Sequence, residues 1–108
     1  MINGIKQQEI QKIKENKRLN ELVKKLVVFG SSTREDCTPY SDIDIYIELP
    51  WQDEGYTNAE VYSIISELTT SDTDILFANE NEFSPNFMKN IKKGVVLIDN
   101  SKGEDAWE

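Results

Sequence analysis

The segment Gly30-Ser31-Ser32-Thr33-Arg34-Glu35-Asp36-Cys37-Thr38-Pro39-Tyr40-Ser41-Asp42-Ile43-Asp44, running on as Ile45-Tyr46-Ile47-Glu48-Leu49, joins a glycine corner to a pair of aspartates. The corner directly follows an apolar run, Leu26-Val27-Val28-Phe29, and the aspartates stand at i and i+2 at the head of an alternating run. Side chains at i and i+2 of a strand point to the same face. Asp42 and Asp44 are therefore expected side by side, with Tyr46 and Glu48 sharing their face. Ile43, Ile45, Ile47 and Leu49 then point the other way, into a core.

Two neighbouring carboxylates raise each other's pKa and cost stability. A divalent cation reverses that cost, because Mg²⁺ takes hard oxygen ligands and keeps positions for water and substrate phosphate. The Gly-Ser corner supplies the complementary half. Glycine lets backbone approach a ligand closely, and N–H groups at a turn leading into a helix favour an anion. A metal on one side and a phosphate cradle on the other suit a nucleoside triphosphate.

Working outward, residues 1–25 carry Ile5, Ile10, Ile13, Leu19, Leu22 and Val23 at imperfect helical spacing, which predicts one long or broken amphipathic helix. The continuously apolar Leu26 to Phe29 reads as a central strand, and a short helical turn is expected from Ser31 to about Asp36. Thr57-Asn58-Ala59-Glu60 has a capping-box pattern, with Tyr56 and Val61 placed as a staple. Val61, Ile64, Ile65 and Leu68 form the buried stripe of the helix that follows. Thr73 to Phe77 reads as a third strand. Ser84-Pro85 predicts an N-cap with proline at the first helical position, and Gly94 a C-terminal stop. Phe87, Met88 and Ile91 form that helix's inner face, and Val95 to Ile98 is a last, fully apolar strand. Helices alternating with strands argue for an α/β domain covering 1–108, with 99–108 a flexible tail.

The 108 residues carry 12 basic against 20 acidic side chains, a net charge of −8, which speaks against direct gripping of a nucleic-acid backbone. No apolar run reaches the length of a membrane span or a signal segment. Cys37 is the single cysteine and histidine is absent, which removes an internal disulfide and the commonest zinc ligand. A cytoplasmic protein using carboxylates and Mg²⁺ fits these limits. Trp51 and Trp107 read as loop anchors.

Gly30-Ser31, ten intervening residues and then Asp42-Ile43-Asp44 resemble the signature of the DNA polymerase beta-like nucleotidyltransferase superfamily, and most of all its minimal nucleotidyltransferases (MNT). Val28-Phe29-Gly30-Ser31, Arg34, Asp36, Pro39 and Ser41-Asp42-Ile43-Asp44 fall where that family places such residues. The resemblance covers roughly Leu26 to Ile98 and implies a nucleotidyltransferase fold of α/β (α+β) class, a mixed sheet of about four strands packed with helices. It implies a third carboxylate on a later strand, for which Asp74 is the natural candidate and Asp72 a rival. Asp42, Asp44 and Asp74 are then the catalytic metal ligands of a two-Mg²⁺ site, while Gly30, Ser31, Arg34 and Ser41 contact the nucleotide.

The implied activity is transfer of NMP, with AMP from ATP the leading choice, to an acceptor hydroxyl. The family's stand-alone members further imply a HEPN-type toxin as partner, with this chain as the antitoxin that adenylylates it. The chain is too short for the helical domain with which larger relatives present a substrate, so the acceptor comes from outside or from a neighbouring subunit of a homo-oligomer. Two departures stand out: Thr33 where the family commonly has alanine, and Glu35 where it commonly has glycine. They keep open a catalytically inactive module that neutralises its partner by contact. An aminoglycoside-type nucleotidyltransferase core is the weaker alternative.

Overall fold

The computed structural model describes residues 3–33, 35, 37–38, 40–50, 56–80 and 82–100, with the side chains of Ser31, Ser32 and Tyr56 left out. In chain order the elements are helix α1 (Gln7–Glu15), helix α2 (Lys17–Leu22), strand β1 (Lys25–Phe29), a 3₁₀ turn (Gly30–Thr33), strand β2 (Ile43–Glu48), helix α3 (Tyr56–Leu68), strand β3 (Thr73–Phe77), helix α4 (Pro85–Lys92) and strand β4 (Val95–Asp99).

The N-terminal amphipathic segment is broken, and Asn16 breaks it. Its backbone is extended (φ −68°, ψ 119°), and its side chain accepts a hydrogen bond from Leu19 N at 2.9 Å. One asparagine thus ends α1 and caps α2, a use of the short amide that competes with helix continuation. Ser84 and Pro85 do as their types predict: Ser84 Oγ accepts from Phe87 N at 3.2 Å, and Pro85 opens α4. Helix α3 departs from the capping-box expectation. It is already helical at Tyr56, so Thr57 lies in its first turn rather than at its N-cap. Asn58 is instead buried and exchanges hydrogen bonds with Asn79 (3.1 Å each way), with a further one to Glu80 at 2.6 Å, tying α3 to the exit of β3.

The four strands form one mixed sheet in the order β3-β2-β1-β4. β1 is antiparallel to both β2 and β4, whereas β2 and β3 are parallel and need the α3 crossover between them. The sheet has two unequal faces. Leu26, Val28, Ile43, Ile45, Ile47 and Phe77 meet Ile10, Ile13, Leu19, Val61 and Ile65 of α1, α2 and α3 in the larger core. On the opposite face, Val27, Phe29 and Tyr46 pack with Ile91 of α4, joined by half-buried Phe83, Phe87 and Met88. Phe29 meets Phe87 edge-on at 6.0 Å, and Phe83 stacks on Phe87 at 5.4 Å.

Two strand details differ from the sequence expectation. β1 begins one residue early at Lys25, which is fully buried between its cross-strand partners Glu48 and Asp99. β4 runs one residue past its apolar run. It lies at the sheet's edge with a register shift between Leu26 and Val27, so Val96 is 40% exposed and the strand is only partly covered. Beyond it, Asn100 is tied down by hydrogen bonds from its side-chain amide to Asn20 O (2.8 Å) and Val23 O (3.0 Å). The rest of the expected tail, residues 101–108, lies outside the described residues, as does Trp51.

Candidate active site

The glycine corner sits where β1 ends. Gly30 has φ +73°, a left-handed conformation that favours glycine, and a Cβ built on it would collide with Asp44 Oδ2. Glycine is required here twice over, by its backbone and by the carboxylate that lies against it. Thr33, one of the two departures from the family pattern, has a local use: its Oγ1 donates to Gly30 O at 2.8 Å and closes the 3₁₀ turn. Glu35, the other departure, is exposed.

Register then brings the acids together along the backbone. Phe29 pairs with Asp44 across the antiparallel ladder, and Asp44 pairs with Asp74 across the parallel one. Cross-strand partners share a face, so Asp44 and Asp74 stand side by side on the face that carries Phe29, Tyr46 and α4. Asp44 is half-buried, whereas Asp74 and Asp42 are exposed. Asp42 directly precedes β2. The first ladder residue, Ile43, donates its N–H to Asp72 O at 2.9 Å, which seats the two strand entrances against each other. Asp74 rather than Asp72 is therefore the carboxylate opposite Asp44. Among the described residues, no group of three or more acidic, cysteine or histidine side chains is drawn close enough to hold a metal ion. The backbone assembles the acidic end; the side chains do not yet converge as a three-ligand cage. The donor chemistry and the glycine cradle still fit Mg²⁺, which needs only one or two protein carboxylates once substrate phosphates contribute.

The remaining sequence candidates divide. Ser41 builds the approach to the aspartates: its Oγ accepts from Thr38 N at 2.9 Å and its N–H donates to Thr38 O at 3.0 Å. The Ser31 side chain, Arg34, Asp36 and Pro39 lie outside the described residues. Cys37 is buried and free, as an inert packing residue should be. Tyr46, on the aspartate face, packs on Phe83 at 5.8 Å and donates its hydroxyl to Glu48 at 3.0 Å, a structural use.

One contributor escaped the sequence reading. Glu9 of α1 accepts hydrogen bonds from Thr70 and Ser71, through both backbone N–H and hydroxyl groups. Lys6, itself buried, donates to Ser71 Oγ at 2.7 Å. Burial works to raise the Glu9 pKa, but the Ser71 and Thr70 hydrogen bonds outweigh it and lower the value from 4.5 to about 2. The clamped loop leads straight into β3, so α1 fixes the strand that presents Asp74. No local pattern marks Glu9, because its partners lie 61 and 62 residues away.

No curated protein matches the chain in sequence. Among solved structures, a chain in the complex of the tri-AMPylated HEPN toxin of Shewanella oneidensis with its MNT antitoxin is similar, with a TM-score of 0.56 and 21% identity. That match covers 91% of the present chain and 75% of the other. At that identity the likeness is one of fold. Among the described residues no helix is long and apolar enough to cross a membrane. The family model of the nucleotidyltransferase domain matches residues 10–98, which run from within α1 into β4 and include Gly30, Asp42, Asp44 and Asp74, and the chain accordingly belongs to the nucleotidyltransferase domain family.

Proposed function

We propose that the chain transfers AMP from ATP to a hydroxyl of a HEPN-type protein partner and so acts as an antitoxin. The observation that carries this reading is the ladder register that sets Asp74 beside Asp44, with Asp44 against the Gly30 corner. In this reading Asp42 and Asp44 hold Mg²⁺, with Asp74 completing a second site. When bound, the metal neutralises phosphate charge and polarises the α-phosphorus. The Gly30-Ser31 backbone cradles the outer phosphates, and Arg34 and Ser41 add contacts to the nucleotide. Asp74 orients the acceptor hydroxyl and takes its proton. The hydroxyl oxygen then attacks the α-phosphorus in line, the α–β phosphoanhydride bond breaks, and pyrophosphate leaves.

The net charge of −8 suits a basic protein partner better than a nucleic acid. Co-expression with a HEPN-type protein followed by intact-mass measurement tests the proposal. The partner should gain whole AMP increments with the wild-type chain and none with the Asp42→Asn/Asp44→Asn variant. A partner that is neutralised but never gains mass would sink the transferase reading.

That outcome would favour a second one, in which the fold neutralises its partner by contact alone. The observation behind it is the unconverged acid trio among the described residues. Alanine at Asp42 and Asp44 separates the two, since a pure binder keeps its cellular effect.

A further inference from the structure

Tyr40 is 94% exposed, an unusual state for a large aromatic side chain, and it stands two residues before Asp42. Hydrogen bonds among Thr38, Tyr40 and Ser41 hold the backbone at this position. Tyr40 N donates to Thr38 Oγ1 at 3.2 Å, Thr38 N donates to Ser41 Oγ at 2.9 Å, and the two hydroxyls lie 3.3 Å apart. Ser41 N closes the turn on Thr38 O at 3.0 Å. Among the described residues, packing does not account for the ring.

Two residues of chain reach at most about 7 Å, so the Cα atom of Tyr40 lies within that distance of the Cα atom of Asp42. Resting on the nucleotidyltransferase reading above, we propose that Tyr40 is the stacking platform for the base of the bound nucleoside triphosphate. A base has two apolar faces and gains most from an aromatic surface already ordered before it arrives. A protein interface would instead call for a contiguous apolar patch. The other exposed large hydrophobics among the described residues are Ile5 before α1, Tyr62 on α3 and Val96 on β4, each on a separate element. Among the described residues, Tyr40 is the one exposed large hydrophobic on its segment, which suits a planar ligand. Stacking reads a face and not an edge, so the platform holds purines without telling adenine from guanine.

The test compares Mg-ATP with Mg-tripolyphosphate, which has the phosphates and no base, on the full chain by titration calorimetry. Tyr40→Ala should weaken ATP about ten-fold, leave tripolyphosphate within two-fold, and leave the thermal midpoint unchanged. Tyr40→Phe should bind ATP as the wild type does, and GTP should compete nearly as well as ATP. Equal loss of ATP and tripolyphosphate in Tyr40→Ala would mean a distorted turn and overturn the proposal. So would unchanged ATP binding, including the case in which only partner affinity falls. If the wild type binds neither probe, the nucleotidyltransferase reading fails together with this one; if it binds both and Tyr40→Ala matches it, only the platform fails.

Discussion

At the scale of single residues, Gly30 and Glu9 carry the sharpest consequences. Gly30→Ala places a side chain at φ +73° and against the Asp44 carboxylate, so both backbone strain and a clash oppose it. It should cost about 2 kcal/mol in urea unfolding, and a loss near zero would mean the corner is not held as described. Glu9 sets a pH dependence. Its folded-state pKa is about 2, below the ordinary 4.5, so its contribution is complete above about pH 4.5 and disappears as the pH falls towards 2. Allowing for its partial exposure, the contribution is about 1–2 kcal/mol. Glu9→Gln should lower the unfolding midpoint at pH 7 and flatten its fall between pH 4.5 and 2. An acid limb as steep as the wild type's would rule the clamp out. The two residues also differ in legibility. Gly30 was readable because a local corner demands glycine, whereas Glu9 acts across 61 and 62 residues and looks like any acid on a solvated helix face.

At the scale of elements, what was local in the chain was visible in it. Strands β1, β2 and β3 follow from apolar runs and alternation, and the start of α4 from a serine that caps and a proline that needs no donor. Ser84→Ala removes the acceptor for Phe87 N and should cost about 1 kcal/mol, read as a lower urea midpoint. The break at Asn16 was half visible: imperfect helical spacing allowed a broken helix, but not that Asn16 would end α1 and cap α2. The start of α3 was misplaced because Thr57-Asn58-Ala59-Glu60 mimics a cap. Asn58 is in fact engaged with Asn79 and Glu80 from inside the helix. Replacing it by alanine strands the Asn79 amide, and a loss of about 2 kcal/mol is expected. A neutral result by thermal unfolding would return Asn58 to the role of a simple helix starter.

At the scale of the whole molecule, the sheet order and the parallel β2–β3 pair decide the site, and neither is written locally. Strand alternation put Asp42 and Asp44 on one face, and the family resemblance implied a third acid on a later strand. The sequence could not show that Asp74 pairs with Asp44 while Asp72 lends only its carbonyl to Ile43. Nor could it show that, among the described residues, α4 is the one helix on the aspartate face while α1, α2 and α3 fill the other. Asp44 and Asp74 thus lie on the more lightly covered side of the sheet. The most direct measurement is ATP binding with and without Mg²⁺, in the wild type and in Asp44→Asn. Wild-type affinity should rise at least ten-fold with the metal, and Asp44→Asn should lose that gain while unfolding as a stable domain. Equal affinities in all four conditions would contradict the account.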